Sequence, residues 1–124
     1  MRKAEAQATP TLFAIVHRAA EVCDPSGTSE GASALLERFE DRDEPVGEPA
    51  VAEQEIAEAK GAIDPQDEDP VATMTAAVAT YLAYRRTELE REREELLVLA
   101  ARAEFDGNPP EPVASWLAGQ GLEV

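Results

Sequence analysis

The chain has 124 residues, of which 44% are hydrophobic and 5% aromatic, and its formal net charge is −15. This length and this apolar fraction predict one domain, residues 1–124, with a modest core, and they argue against disorder throughout the chain. An acidic chain without a basic patch is repelled by phosphate groups, so we expect no nucleic acid and no anionic membrane among its partners.

The negative charge is concentrated in the middle of the chain. Residues 40–69 carry twelve acidic and two basic side chains, whereas residues 70–105 carry six and five. Such a surface keeps a protein soluble, and it also suits an inhibitor that covers the basic surface of a partner protein. Because no run reaches the roughly 18 apolar residues that span a bilayer, and the first residues lead into no signal peptide, we expect a cytoplasmic protein.

The first predicted helix begins at Thr9 and Pro10, after residues 1–8, which we expect to be disordered. Its apolar residues return with helical spacing and form one broad stripe: Leu12, Ile15, Val16, Ala19, Val22 and Cys23. Residues 24–27, Asp-Pro-Ser-Gly, end this helix. The stripe predicts that one face of the helix packs against a core.

Two further helices are predicted after this turn. Thr28 is expected to cap the second helix, and an acidic linker, residues 40–48, follows it. Pro49 is expected to begin a third helix with little apolar bulk, which ends before an acidic turn at residues 64–69. Helices separated by proline and charge predict a bundle rather than a sheet.

Residues 70–105 contain no internal Gly, Pro or Asn. One continuous helix of this length would span roughly 54 Å at about 1.5 Å per residue, whereas a compact chain of this size has a radius of gyration of roughly 14 Å. Strong helix-forming residues favour one long helix. The alternative is a tight helical hairpin that breaks near Thr87, which has the spacing of a capping box with Glu90. Gly107 is expected to end the run.

Apolar residues in this run return every seven positions, as they do in a coiled coil. Two charged residues interrupt the stripe, and charges at such positions set the register of a pair of helices. We therefore predict a homodimer. Its interface residues are Val78, Leu82, Arg85, Leu89, Glu92 and Leu96.

The C-terminal residues, 108–124, predict a short last helix with Val113, Trp116 and Leu117 on one face. The predicted fold is all-α, a small helical bundle of five or six helices, with a long helix or a tight helical hairpin over residues 70–105.

Two single residues are candidates for chemistry. His17 lies beside Phe13 and one turn from Glu21, so it is either a boundary histidine, which we favour, or a general base oriented by Glu21. Cys23 lies at a helix C-terminus, where the negative end of the helix dipole disfavours a thiolate. One histidine and one cysteine are too few for a zinc or di-metal site, so we predict no metal, no cofactor and no catalytic residue.

The aromatic part of the long run allows two interpretations. Met74 and Tyr81 share a face that can line a ligand pocket, with the hydroxyl groups of Tyr81 and Tyr84, Arg85 as a counter-charge, and His17 as a further candidate. The same face also suits the core of a bundle. Convergence of these side chains on one partly apolar cavity would favour the pocket.

The favoured function is a non-enzymatic helical module for protein interaction or regulation that associates with itself. The first alternative is a small-molecule binding protein, or a cofactor-independent enzyme, with its pocket near Tyr81, Tyr84 and Arg85. The second alternative is an acidic inhibitor that uses residues 40–69 to cover a basic partner.

Overall fold

The computed structural model describes residues 11–40, 49–60, 70–85, 89 and 91–122. Within these ranges the protein is all-α, with six helices and no β-strand, which confirms the predicted fold class. The helices are α1 (Leu12–Cys23), α2 (Glu30–Arg38), α3 (Pro49–Lys60), α4 (Pro70–Tyr84), α5 (Arg93–Phe105) and α6 (Glu111–Gly119). The predicted disorder of residues 1–8, the predicted acidic turn at 64–69 and the predicted acidic linker at 40–48, apart from Glu40, lie outside the described residues.

Hydroxyl side chains cap the first two helices, Thr11 at α1 and Ser29 at α2. The Ser29 hydroxyl accepts a hydrogen bond from the backbone N–H of Ala32 at 3.1 Å. The predicted cap of α2, Thr28, is one residue too early. The Asp24 carboxylate accepts hydrogen bonds from the backbone N–H groups of Thr28 at 3.1 Å and Ser29 at 3.0 Å, and it thereby closes the turn between the two helices.

Helix α4 is the central helix of the bundle and contacts each of the other five. Eleven of its fifteen residues are buried, and they cover all sides of the helix rather than one stripe. No charged residue occurs from Pro70 to Tyr84, so no side of α4 requires water. Alanines make up much of its surface, and their small side chains let the surrounding helices approach closely.

The preference for one unbroken helix over residues 70–105 is wrong, and the alternative of a break is correct. Helix α4 ends at Tyr84, where the backbone N–H of Arg85 donates to the carbonyls of Tyr81 at 3.0 Å and Leu82 at 3.2 Å. Helix α5 begins at Arg93. Thr87 and its predicted capping box lie outside the described residues. Burial ends at Ala83, since Tyr84 is exposed and Arg85 is the first charged residue after Pro70. Helix α4 therefore ends where the chain leaves the core.

The connection between α4 and α5 follows α1. The Arg18 guanidinium, on α1, donates to the carbonyl of Leu89 at 2.9 Å and to that of Arg91 at 2.8 Å. Four residues further along α1, the carbonyl of Val22 accepts a hydrogen bond from Arg93 at 2.6 Å. Leu89, Arg91 and Arg93 therefore lie alongside α1, in order from its middle toward its C-terminus.

Helices α4 and α5 run in the same general direction. Cys23, at the end of α1, is hydrogen-bonded to Thr75 near the start of α4, and the start of α5 lies at this same end of α1. At the other end, the last turn of α4 and residue Ala103 of α5 line one cavity. The connection is therefore a crossover rather than a tight hairpin turn, and it places the C-terminal turns of both helices side by side.

Helix α5 ends where the sequence predicted. Asp106 takes up the left-handed conformation at φ 55°, and Gly107 follows at φ 83°. Only glycine adopts the latter conformation without strain, so Gly107 ends the helix. Helix α6 then buries Val113 and Leu117. None of the described helices combines the length and the apolar character needed to cross a lipid bilayer.

Candidate functional site

Three of the predicted pocket residues, Tyr81, Tyr84 and Arg85, line one cavity of about 290 Å³ between α4 and α5. We call it the Tyr81 cavity. The described residues that line it are Ala77, Thr80, Tyr81, Tyr84, Arg85, Ala103 and Glu104.

The spacing along α4 explains why these side chains meet. Ala77 lies three and four residues before Thr80 and Tyr81, and Tyr84 lies four and three residues after them, so all four lie on the same side of the helix. Two alanines, Ala77 on α4 and Ala103 on α5, leave space between the helices where larger side chains would fill it. Helical spacing thus forms one wall of the cavity, and small residues keep it open.

The two tyrosines have different environments. Tyr81 is 9% exposed and forms part of the inner wall, whereas Tyr84 is 52% exposed and lies at the rim. The Arg85 guanidinium lies 5.6 Å from the centre of the Tyr81 ring, within the range of a cation–π interaction. The cavity therefore combines an apolar base, an aromatic wall and a cation.

A negative charge lies on the α5 side of the cavity. Glu104 is half-buried, while Arg85 on the α4 side is exposed. Among the ion pairs between described residues, none joins Arg85 to Glu104. The cavity therefore presents one cationic and one anionic side chain that are not paired with each other.

The other two predicted pocket residues lie elsewhere. Met74 is completely buried in the core, because α4 is covered on all sides and Met74 is in its first half. His17 is exposed and lines a separate cavity of about 240 Å³ between α1 and α2, which also includes Glu21 and Asp24. Its ring centre is 5.6 Å from that of Phe13, as the boundary position predicted.

Three of the six residues of the predicted dimer interface are buried inside one chain. Val78, Leu82 and Leu96 are each 0% exposed, since they form the contact of α4 and α5 with the rest of one chain. Leu89 is partly buried against the same core, and Glu92 is exposed at the start of α5. The apolar residues with seven-residue spacing thus pack in the core of one chain. Arg85, one of the two charged residues in this series, lines the Tyr81 cavity.

Cys23 lies in the core beside Thr75. Burial raises the pKa of the Cys23 thiol to about 12, and the hydrogen bond with the Thr75 side chain and the charge of Arg93 offset this only in part. At neutral pH the thiol is protonated, and a protonated thiol is a poor nucleophile. In the described part of the chain, no three His, Cys, Asp or Glu side chains form a group able to hold a metal ion.

Four residues of the Tyr81 cavity were not predicted from the sequence: Ala77, Thr80, Ala103 and Glu104. Ala77 and Thr80 could have been found, because they lie three or four residues before Tyr81 and Tyr84 on the same helix face. Ala103 and Glu104 could not have been found, because their place beside the end of α4 depends on the crossover.

Comparison with known proteins gives no relative from which a function could be transferred. No protein family, curated protein or solved structure matches this chain. The chemistry of the cavities is therefore the basis for a functional proposal.

Proposed function

We propose that this protein binds a small molecule in the Tyr81 cavity. The observation that supports the proposal is the convergence of Tyr81, Tyr84 and Arg85 on one concave and partly apolar space. Binding sites for small molecules combine apolar walls with a few polar groups that orient the ligand. Here the two tyrosines supply aromatic faces and hydroxyl groups, and Arg85 supplies a charge.

The size of the cavity limits the ligand. About 290 Å³ is at the lower end of the range for ligand pockets, so the ligand is a small molecule rather than a dinucleotide or a long lipid. The exposure of Tyr84 leaves the cavity open at its rim. We keep a cytoplasmic location as part of this proposal.

The second candidate is a protein-interaction module, and the exposure of Tyr84 favours it. Tyrosine and arginine are frequent among the residues that contribute most to protein interfaces. Tyr84 and Arg85 are adjacent and both exposed, so a partner protein could place one side chain into the Tyr81 cavity. An acidic inhibitor that uses residues 40–69 stays a prediction, because most of those residues lie outside the described part of the chain.

The test blocks the cavity from one side. Ala103 is exposed and lines the cavity, so the bulky side chain of Ala103→Trp can occupy the space without entering the core. The matched control is Ala34→Trp, which places the same side chain on the exposed face of α2. The melting temperature of each protein is measured with a collection of small neutral, anionic, cationic and zwitterionic molecules.

The expected result is that at least one compound raises the melting temperature of the wild type and of Ala34→Trp but not of Ala103→Trp. If no compound does so, small-molecule binding in this cavity is wrong. Loss of a protein partner, rather than of a compound, in the Ala103→Trp variant would favour the second candidate.

A further inference from the structure

We propose that the ligand of the Tyr81 cavity is a small zwitterion that carries an anionic group for Arg85 and an ammonium group for Glu104. The inference rests on the proposed function and names the chemical class of the ligand. It follows from the two opposite charges on the walls of one cavity, Arg85 directly after α4 and Glu104 in α5.

The separation of the two charges is the first argument. Arg85 and Glu104 line the same cavity, but neither of the ion pairs found among the described residues joins the two side chains. The guanidinium lies instead against the Tyr81 ring. A molecule between them that carries both signs of charge would meet an opposite charge on each side.

The effect of a single charge is the second argument. A ligand with only a carboxylate would be attracted by Arg85 but repelled by Glu104. A ligand with only an ammonium group would be attracted by Glu104 but repelled by Arg85. A zwitterion avoids both repulsions. Glu104 already makes a contact within the protein, but an ionised carboxylate has about four acceptor sites and can accept a further hydrogen bond.

The remaining surface of the cavity indicates which uncharged group accompanies the two charges. Ala77 and Ala103 are apolar, and the rings of Tyr81 and Tyr84 offer aromatic faces. An apolar or aromatic group attached beside the two charged groups can therefore pack against this surface. Amino acids with an apolar side chain have this chemistry.

Three compounds with the same phenyl ring test the inference. Phenylalanine carries both charges, phenylethylamine carries only the ammonium group, and phenylpropanoate carries only the carboxylate. Their affinities are measured by titration calorimetry for the wild type, Arg85→Gln and Glu104→Gln. The control Glu94→Gln changes the net charge by the same amount as Glu104→Gln, at an exposed position of α5 outside the cavity.

We expect the wild type and Glu94→Gln to bind phenylalanine at least about tenfold more tightly than either compound with one charge, because a hydrogen bond to a charged group contributes about that factor. Arg85→Gln and Glu104→Gln should each reduce the affinity for phenylalanine about tenfold. Arg85→Gln should leave the affinity for phenylethylamine unchanged or higher.

Equal affinities for the three compounds, or a phenylalanine affinity that neither cavity variant changes, would overturn the inference. If none of the three binds, and the compound that stabilises the wild type but not Ala103→Trp carries one charge or none, the zwitterion is wrong and the proposed function stands. If no compound shows that difference, both are wrong.

Discussion

Two neighbouring threonines in α4 differ in how their hydroxyl groups are satisfied. Thr73 and Thr75 are both buried, but the Thr75 hydroxyl donates to the carbonyl of Val71 at 2.7 Å. The Thr73 hydroxyl is buried and has no hydrogen-bond partner among the described residues. A buried polar group without a partner destabilises the folded state, and an apolar residue of the same shape removes that cost.

We therefore predict that Thr73→Val raises the free energy of unfolding by about 1 kcal/mol. Thr75→Val should lower it by about 1 kcal/mol, because it removes a satisfied hydroxyl that also bonds to Cys23. Urea unfolding of both variants measures the two changes. Equal destabilisation by both would show that Thr73 has a partner after all.

The buried thiol of Cys23 predicts a dependence of stability on pH. Its ordinary pKa of 9.0 is raised to about 12 by burial, so between these values the unfolded chain loses a proton that the folded chain keeps. The contribution to stability is complete below pH 9 and decreases by about 1.4 kcal/mol for each pH unit above it.

The comparison with Cys23→Ala isolates this contribution from the other groups that titrate at high pH. The variant is expected to be less stable at neutral pH, because a buried sulfur is removed. Above pH 9, the difference in unfolding free energy between wild type and variant should become smaller. A difference that stays constant as the pH rises would contradict the raised pKa.

At the scale of elements, one arginine connects three helices. Arg93, at the start of α5, donates to the carbonyl of Val22 in α1 at 2.6 Å and to the side chain of Gln120, next to α6, at 2.8 Å. The Val22 carbonyl lies at the negative end of α1, where a cation is favourable. These contacts hold α5 in the crossover arrangement.

We predict that Arg93→Met lowers the free energy of unfolding by about 2 kcal/mol, since methionine keeps most of the apolar stem but none of the donors. Arg102→Met is the matched control, at an exposed position near the end of the same helix. It should lower stability by less than about 1 kcal/mol. Equal effects in a thermal melt would mean that the contacts of Arg93 have no special role.

The sequence predicted the helices better than their arrangement. Pro49 and Gly107 mark helix ends because proline and glycine restrict or permit particular backbone angles regardless of the surroundings. The end of α4 at Tyr84 depends on where burial stops, which is a property of the packed molecule. The absence of charge from Pro70 to Tyr84 indicates a helix that is buried on all sides. The seven-residue spacing instead predicts a helix with one buried stripe, which is the weaker indication here.

At the scale of the whole molecule, the crossover between α4 and α5 determines which residues are buried and which line the Tyr81 cavity. It buries the stripe of Val78, Leu82 and Leu96 in one chain and brings Glu104 beside Arg85. The sequence alone predicted Tyr81, Tyr84 and Arg85 on the α4 side of the cavity, because their spacing is that of one helix face. The α5 half depends on the path of the chain between the helices.

The burial of that stripe predicts a monomer in solution. Light scattering after size exclusion, at two protein concentrations and two salt concentrations, should give the mass of one chain. Because Val78 and Leu82 are already covered by the chain's own helices, dilution should not change this mass. A mass of two chains that decreases on dilution would restore self-association as a property of this protein, through a surface other than the stripe.

The most direct test of the central claim is a chemical-shift map of the isotope-labelled protein, titrated with the compound that raises its melting temperature most. The account predicts that the amide signals that move most belong to Thr80, Tyr84 and Ala103, around the Tyr81 cavity. The same compound should leave the signals of Thr80 and Tyr84 unmoved in Ala103→Trp. The largest changes around His17, in the cavity between α1 and α2, would contradict the assignment of the ligand site to α4 and α5.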